Sequence, residues 1–169
     1  MANVFQIGEI VNIGVEDEVT GIALYAALAE KTKTEPLKAF FLKMAEKERV
    51  HEERFRTLLT QVGDPTLHET FPGEYEAYLR ALLDARAFPS PQAALSRAKA
   101  AADSRAAIKL ALQMEKDTLG LFLEVVKLLP DRHRPVVQAI IDEERSHVVE
   151  LSGQLRKLGV GGRGAGAGE

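Results

Sequence analysis

Two Glu-x-x-His tetrapeptides, Glu48 to His51 and Glu144 to His147, lie 96 residues apart in a chain of 169 residues that contains only four histidines. Glu18 and Tyr25 recur in the same way, 97 residues on, as Glu115 and Phe122. A repeat with a Glu in one segment and a Glu-x-x-His in the next requires the chain to build one unit twice. Apolar residues recur at helical spacing almost throughout, and no stretch alternates with a period of two between turn signals, so the unit is a helical hairpin and the fold all-α.

Breakers and caps divide the chain accordingly. A first long helix spans about 5–31, weakened locally by Gly14 and Gly21, and a second begins at Glu35-Pro36, where proline in the first turn loses no needed hydrogen bond, and ends near Gly63. Residues 63–73, with two glycines and two prolines, read as a loop that opens a long crossover. Short amphipathic helices follow at 74–88 and, from the Ser90-Pro91 cap, to about 101. The third long helix starts at an Asp103 or Ser104 cap and runs to Leu129, and the fourth runs from about Asp131 to Leu158, with Gly159 just past its end. The expected architecture is a four-helix bundle of two duplicated hairpins over 1–158, with a flexible glycine-rich tail at 159–169. On the crossover helix Tyr75, Tyr78, Leu79 and Leu82 form an apolar stripe, for which a second copy of the chain in a homodimer is the expected cover.

Residues three apart on a helix project from one face, so each Glu-x-x-His is a two-toothed metal arm. Antiparallel packing brings Glu18, Glu48, His51, Glu115, Glu144 and His147 to one level of the bundle, the ligand set of di-iron and di-manganese carboxylate proteins. Four buried carboxylates repel one another, and two divalent ions balance them with the imidazoles neutral. A single Glu-x-x-His would be a surface pair; two copies at matched offset, each with its own Glu, are not. The chain has no cysteine, which removes Fe-S clusters and cysteine-ligated zinc. Tyr25, two turns after Glu18, is the catalytic candidate, able to hydrogen-bond a ligand carboxylate or pass an electron, or else to serve as a core aromatic. Glu16, Asp17, Glu52, Glu53, Asp142 and Glu143 rotate off the ligand face and are expected in solvent, with Asp142 or Glu143 able to contact a ligand from behind. His68 and His133 are expected at the surface. A balance of 22 basic and 25 acidic residues gives no basic face for nucleic acid, and with neither a leader pattern nor an apolar run long enough to span a bilayer a cytoplasmic protein is expected, off the membrane.

The spacing Glu18-x6-Tyr25, Glu48-x2-His51, Glu115-x6-Phe122 and Glu144-x2-His147, together with MEKDTLGLF at 114–122 and IIDEERSHVVEL at 140–151, resembles the ferritin-like superfamily and most closely its rubrerythrin-like branch. The resemblance covers about 5–158 and implies a non-haem centre of two Fe ions, with Mn also fitting, held by those six residues. It implies an oxidoreductase of oxidative-stress chemistry that reduces hydrogen peroxide or dioxygen; the alternative is a non-enzymatic iron-binding protein or a ferroxidase. Rubrerythrins proper carry a cysteine-ligated rubredoxin domain, which these 169 residues do not contain, so an external electron donor protein is implied. Thr118 stands where that branch has an extra glutamate, and Arg49 where bacterioferritin has its haem-ligating Met, so haem is not expected. A glycine-rich tail in place of a fifth helix departs from the storage ferritins.

Overall fold

The computed structural model describes the backbone of residues 7–62 and 74–161, and the side chains of all of these except 74–76 and 160–161. Among the described residues there are six helices and no strand: α1 (Ile7–Lys31), α2 (Glu35–Val62), α3 (Glu74–Asp84), α4 (Pro91–Ala100), α5 (Ser104–Leu128) and α6 (Arg134–Gly161). None is long and apolar enough to cross a membrane.

Each boundary has a local cause. Ser90 Oγ accepts from the Ala93 N–H at 3.2 Å as Pro91 opens α4, and Asp103 Oδ1 accepts from the Ala106 N–H at 2.7 Å to open α5. Leu129 is extended, with φ −76° and ψ 145°, as a residue before proline prefers, and there α5 stops. Arg134 Nε donates back to the Leu129 carbonyl at 2.9 Å and so caps that end. α6 starts later than the sequence suggests because 131–133 form a turn, closed by the His133 N–H on the Pro130 carbonyl at 2.8 Å. It also runs through Gly159 to Gly161. A glycine costs about 1 kcal/mol in a helix, too little to stop one already several turns long. The remainder of the expected tail, 162–169, lies outside the described residues, as does His68.

Short connections make α1 with α2, and α5 with α6, antiparallel hairpins, and the two hairpins meet through α1 on α5 and α2 on α6. The crossover returns along the bundle as α4, which packs on α1. Leu79 of α3 is fully buried within the chain, Leu82 is half-buried and Tyr78 is exposed. Tyr75 lies outside the described side chains.

The core is two apolar blocks, one above the other. One holds Leu24, Leu28, Phe41, Met44, Ile108, Met114 and Leu151, with Ala94 and Ala98 of α4. The other holds Ile10, Phe55, Leu58, Phe122, Val125, Ile140 and Ile141. Each long helix contributes to both, and its ligand-type residues fall between the two contributions. The helix-weakening glycines have a packing reason. A Cβ on Gly14 would meet the Phe55 ring at 2.6 Å, and one on Gly21 would meet Met114 Cε at 3.1 Å and Glu48 Cγ at 3.3 Å. Phe55 is itself fixed against Phe122, with ring centroids 4.9 Å apart.

Gly14→Ala therefore loses more from overpacking than it gains in helix propensity. The expected net destabilisation is about 1–2 kcal/mol, read from chemical denaturation, whereas Gly120→Ala, where a Cβ meets nothing, stabilises by a few tenths up to about 1 kcal/mol.

Candidate metal centre

Between the two apolar blocks all six expected ligands converge, and each is 2% exposed or less. α1 supplies Glu18, α2 Glu48 and His51, α5 Glu115, and α6 Glu144 and His147. The imidazoles lie nearly parallel, with ring centroids 5.4 Å apart and an 18° tilt. His51 Nδ1 is 2.8 Å from Glu144 Oε1, 3.3 Å from Glu48 Oε2 and 3.7 Å from Glu18 Oε1. His147 Nδ1 is 3.0 Å from Glu144 Oε2, 3.3 Å from Glu48 Oε1 and 3.5 Å from Glu115 Oε2. Glu48 and Glu144 thus turn one oxygen to each imidazole, while Glu18 and Glu115 each serve one side. Two overlapping ligand groups result, Glu18, Glu48, His51 and Glu144, and Glu48, Glu115, Glu144 and His147, with ligand atoms in each within 4.8 Å of one another.

The donor set fits divalent ions on chemical grounds. Glu18 Oε1, Glu48 Oε1, Glu115 Oε2, both oxygens of Glu144 and both Nδ1 atoms are buried without a hydrogen-bond partner and face one another. Buried polar atoms are normally paired, and an assembly of lone pairs this dense calls for cations. Oxygen-rich ligation with one imidazole per ion suits iron or manganese.

Supporting contacts hold the ligands in place. His51 Nε2 lies 3.1 Å from Glu143 Oε2, and Arg54 Nη1 pairs with Glu143 Oε1 at 2.5 Å. A carboxylate on Nε2 puts the hydrogen there and leaves the Nδ1 lone pair for the centre. Tyr25, fully buried, donates its hydroxyl hydrogen to Glu115 Oε1, leaving Oε2 for the centre. Burial and the neighbouring Glu115 and Glu48 raise the Tyr25 hydroxyl well above its ordinary pKa, so it stays a donor.

Several expectations about flanking residues need correction. Asp17 is buried rather than solvated: Arg86 Nη1 pairs with its Oδ1 at 2.6 Å and the Thr118 hydroxyl donates to its Oδ2 at 2.6 Å. It rotates off the bundle axis, as its position demands, but the crossover folds over that face and brings Arg86 to it. Burial raises its carboxyl, and Arg86 and Thr118 pull against that shift. Thr118, one turn after Glu115, is a signal the sequence did carry; Arg86 gave none. His133 is buried in the α5–α6 turn, where its Nε2 accepts from Arg132 Nε at 2.9 Å. Glu143 is half-buried against His51, while Glu16, Glu53 and Asp142 are exposed and Glu52 half-buried, paired with Arg56.

The profile of one family, Rubrerythrin, matches residues 9–153. The chain belongs to the rubrerythrin family. No curated protein is recognisably similar in sequence. Among solved structures, a candidate ferritin-like diiron-carboxylate protein from Thermotoga maritima is 23% identical, with a TM-score of 0.60 over 92% of this chain and 98% of that one. A hypothetical protein from Pyrococcus furiosus is 19% identical, with a TM-score of 0.60 over 90% of this chain and 89% of that one. At these identities the likeness concerns the fold, and it is the ferritin-like bundle that this rubrerythrin-family chain adopts.

The electrostatics of the metal-free cluster are unequal. Burial, with Glu48 and Glu144 nearby, drives Glu18 well above the ordinary carboxyl value, and burial with Glu144 nearby pushes Glu115 up to about 8. Burial pushes Glu48 and Glu144 the same way, but the two imidazoles facing them outweigh it and both end below the ordinary value. Burial lowers the histidines, yet Glu144 and Glu48 lift His51 to about 10, and Glu115, Glu144 and Glu48 lift His147 to about 12. Burial thus favours the neutral forms of Glu18 and Glu115, while the charged forms of Glu48, Glu144 and the two imidazoles support one another. Four carboxylates with two divalent ions and neutral imidazoles would also sum to zero charge.

Loading divalent ions at pH 7 is therefore expected to release protons, from Glu115, His51 and His147 above all, counted by calorimetry in buffers of different ionisation enthalpy. Raised pKa values mean that the fold binds protons the unfolded chain releases. The metal-free protein should lose stability as pH rises from 4.5 to about 8 through Glu115, and from 6.5 to about 10 through His51, while the loaded protein does not. A flat melting profile for the metal-free protein over that range contradicts this assignment.

The two kinds of glutamate should also respond differently to neutralisation. Glu18→Gln replaces a carboxyl that burial and the neighbouring Glu48 and Glu144 already push toward its neutral form, and is expected to change the stability of the metal-free protein by less than about 1 kcal/mol. Glu48→Gln removes a counter-charge from both imidazolium rings and is expected to destabilise by about 3 kcal/mol, measured by denaturant unfolding at pH 7.

Proposed function

We propose that this chain is a non-haem di-iron oxidoreductase that reduces hydrogen peroxide or dioxygen with electrons from a separate donor protein. The observation that carries the proposal is the pair of overlapping ligand groups sharing Glu48 and Glu144, which suits two ions side by side rather than one. A ferrous pair held there would supply the two electrons that, with two protons, turn one hydrogen peroxide into two water molecules.

The chain's own residues serve that chemistry in separate ways. Glu48 and Glu144, common to both ligand groups, would hold both ions, and Glu18 and Glu115 would each give one ion an anionic ligand of its own. His51 and His147 would each offer one ion an Nδ1 lone pair. Tyr25 keeps its proton on Oη and orients Glu115 through it. Phe55 and Phe122, fully buried and packed on each other, exclude water from the side facing the apolar block of Ile10, Leu58 and Ile140. With no cysteine in these 169 residues, no cysteine-ligated relay centre is built into them, and re-reduction falls to the external donor.

Stopped-flow mixing of the anaerobic di-ferrous protein with each oxidant tests this. Peroxide should oxidise the centre with one equivalent per pair and faster than dioxygen, and repeated turnover should require an added rubredoxin-like donor. Tyr25→Phe should slow oxidation by about tenfold while still binding two ions. Faster oxidation by dioxygen, with ferric iron released to solution, would make the protein a ferroxidase or iron buffer instead.

A further inference from the structure

The groups behind the two ligand histidines are not alike. His51 Nε2 meets the carboxylate of Glu143, which Arg54 holds from the other side at 2.5 Å. The 96-residue offset of the duplication relates Glu143 to Lys47 and Arg54 to Glu150. Those two residues also form an ion pair, Lys47 Nζ to Glu150 Oε1 at 2.6 Å. The duplicated halves have kept the salt bridge and exchanged its charges. A carboxylate accepts the hydrogen of an imidazole Nε2, and an ammonium cannot. Accordingly, His147 Nε2 is buried without a hydrogen-bond partner.

A second difference is independent of the first. Tyr25 donates a hydrogen bond to Glu115, drawing electron density from that carboxylate. At the duplicated position stands Phe122, which has no donor to offer Glu18. Asp17, adjacent to Glu18, is ion-paired with Arg86 and adds little net charge of its own.

We propose that the centre holds its two ions unequally: the position of Glu18 and His51 fills first and holds tightly, and the position of Glu115 and His147 is the weaker, exchangeable one. A carboxylate behind a ligating imidazole fixes the ring and makes its other nitrogen a stronger donor, and loss of such a partner typically costs about ten- to a hundredfold in metal affinity. Here one histidine has that partner and the other does not, and the glutamate belonging to the unsupported histidine is weakened by a tyrosine. Both differences favour the same position. The proposal rests on the reading of the site as a two-ion centre.

The test uses the full chain, stripped with chelator and reloaded with Co(II), a divalent probe that does not turn over. At one Co(II) per chain, anomalous scattering from crystals should place at least about ten times more cobalt beside Glu18 and His51 than beside Glu115 and His147, and calorimetry in solution should resolve two steps. Glu143→Ala, at a half-exposed site where folding is not at stake, should lower the ratio several-fold, leaving only the bias due to Tyr25. The double variant Lys47→Glu with Glu150→Arg copies the Arg54–Glu143 arrangement behind His147 and should lower the ratio from the other direction. Equal occupancy in the parent protein, preference for the Glu115 position, or a ratio that neither variant moves would overturn the proposal while leaving a two-ion centre intact. Saturation at a single ion, or at none, would instead remove the two-ion reading itself.

Discussion

Everything in this bundle is arranged around one unfavourable layer, four carboxylates and two imidazoles buried between two apolar blocks. Two like charges 4 Å apart repel by about 4 kcal/mol at the effective dielectric of a protein, and burial adds its own penalty. Such a layer is tolerated best when its charges cancel, which protons or bound divalent ions would each bring about. That requirement fixes the height of each long helix relative to its neighbours, since a slide of one or two turns would carry Glu18 or Glu115 against an apolar block. It also explains the close approach at Gly21, where a methyl group would press on the stem of Glu48.

The repeat made most of this legible from sequence. Glu-x-x-His twice at one offset gave the hairpin duplication, the four long helices and the six converging side chains, because helical periodicity and metal-ligand spacing are both local rules. The caps at Ser90 and Asp103 were equally local, and the structure has them where those rules put them. What escaped was contact made at a distance along the chain. Asp17 looked solvated because its own helix turns it away from the bundle axis, and only the return of the crossover supplies Arg86 and a lid. His133 looked exposed because nothing in its neighbourhood reveals how tightly the α5–α6 turn closes. Gly159 read as a helix end, since glycine usually is one, yet nothing there demands a left-handed residue.

The Asp17, Arg86 and Thr118 cluster ties the crossover to the polar layer. Thr118 lies on the same face of α5 as Glu115, and Asp17 immediately precedes Glu18, so the bridge spans two ligand-bearing helices and anchors the segment between α3 and α4 to both. A long connection that would otherwise move independently is thereby made part of the wall of the centre.

The exchanged salt bridges between α2 and α6 bear on how the two halves choose each other. Contacts across the bundle pair Arg54 with Glu143 and Lys47 with Glu150. If the first hairpin met a second copy of itself in the same geometry, Lys47 would face Arg54, and if the second did so, Glu143 would face Glu150. Either like-with-like assembly sets equal charges against each other twice, while the mixed pairing satisfies all four. The two hairpins are therefore no longer interchangeable: at these contacts their charges favour the mixed pairing over either like-with-like one, and joining the halves in one chain keeps the favoured pair together.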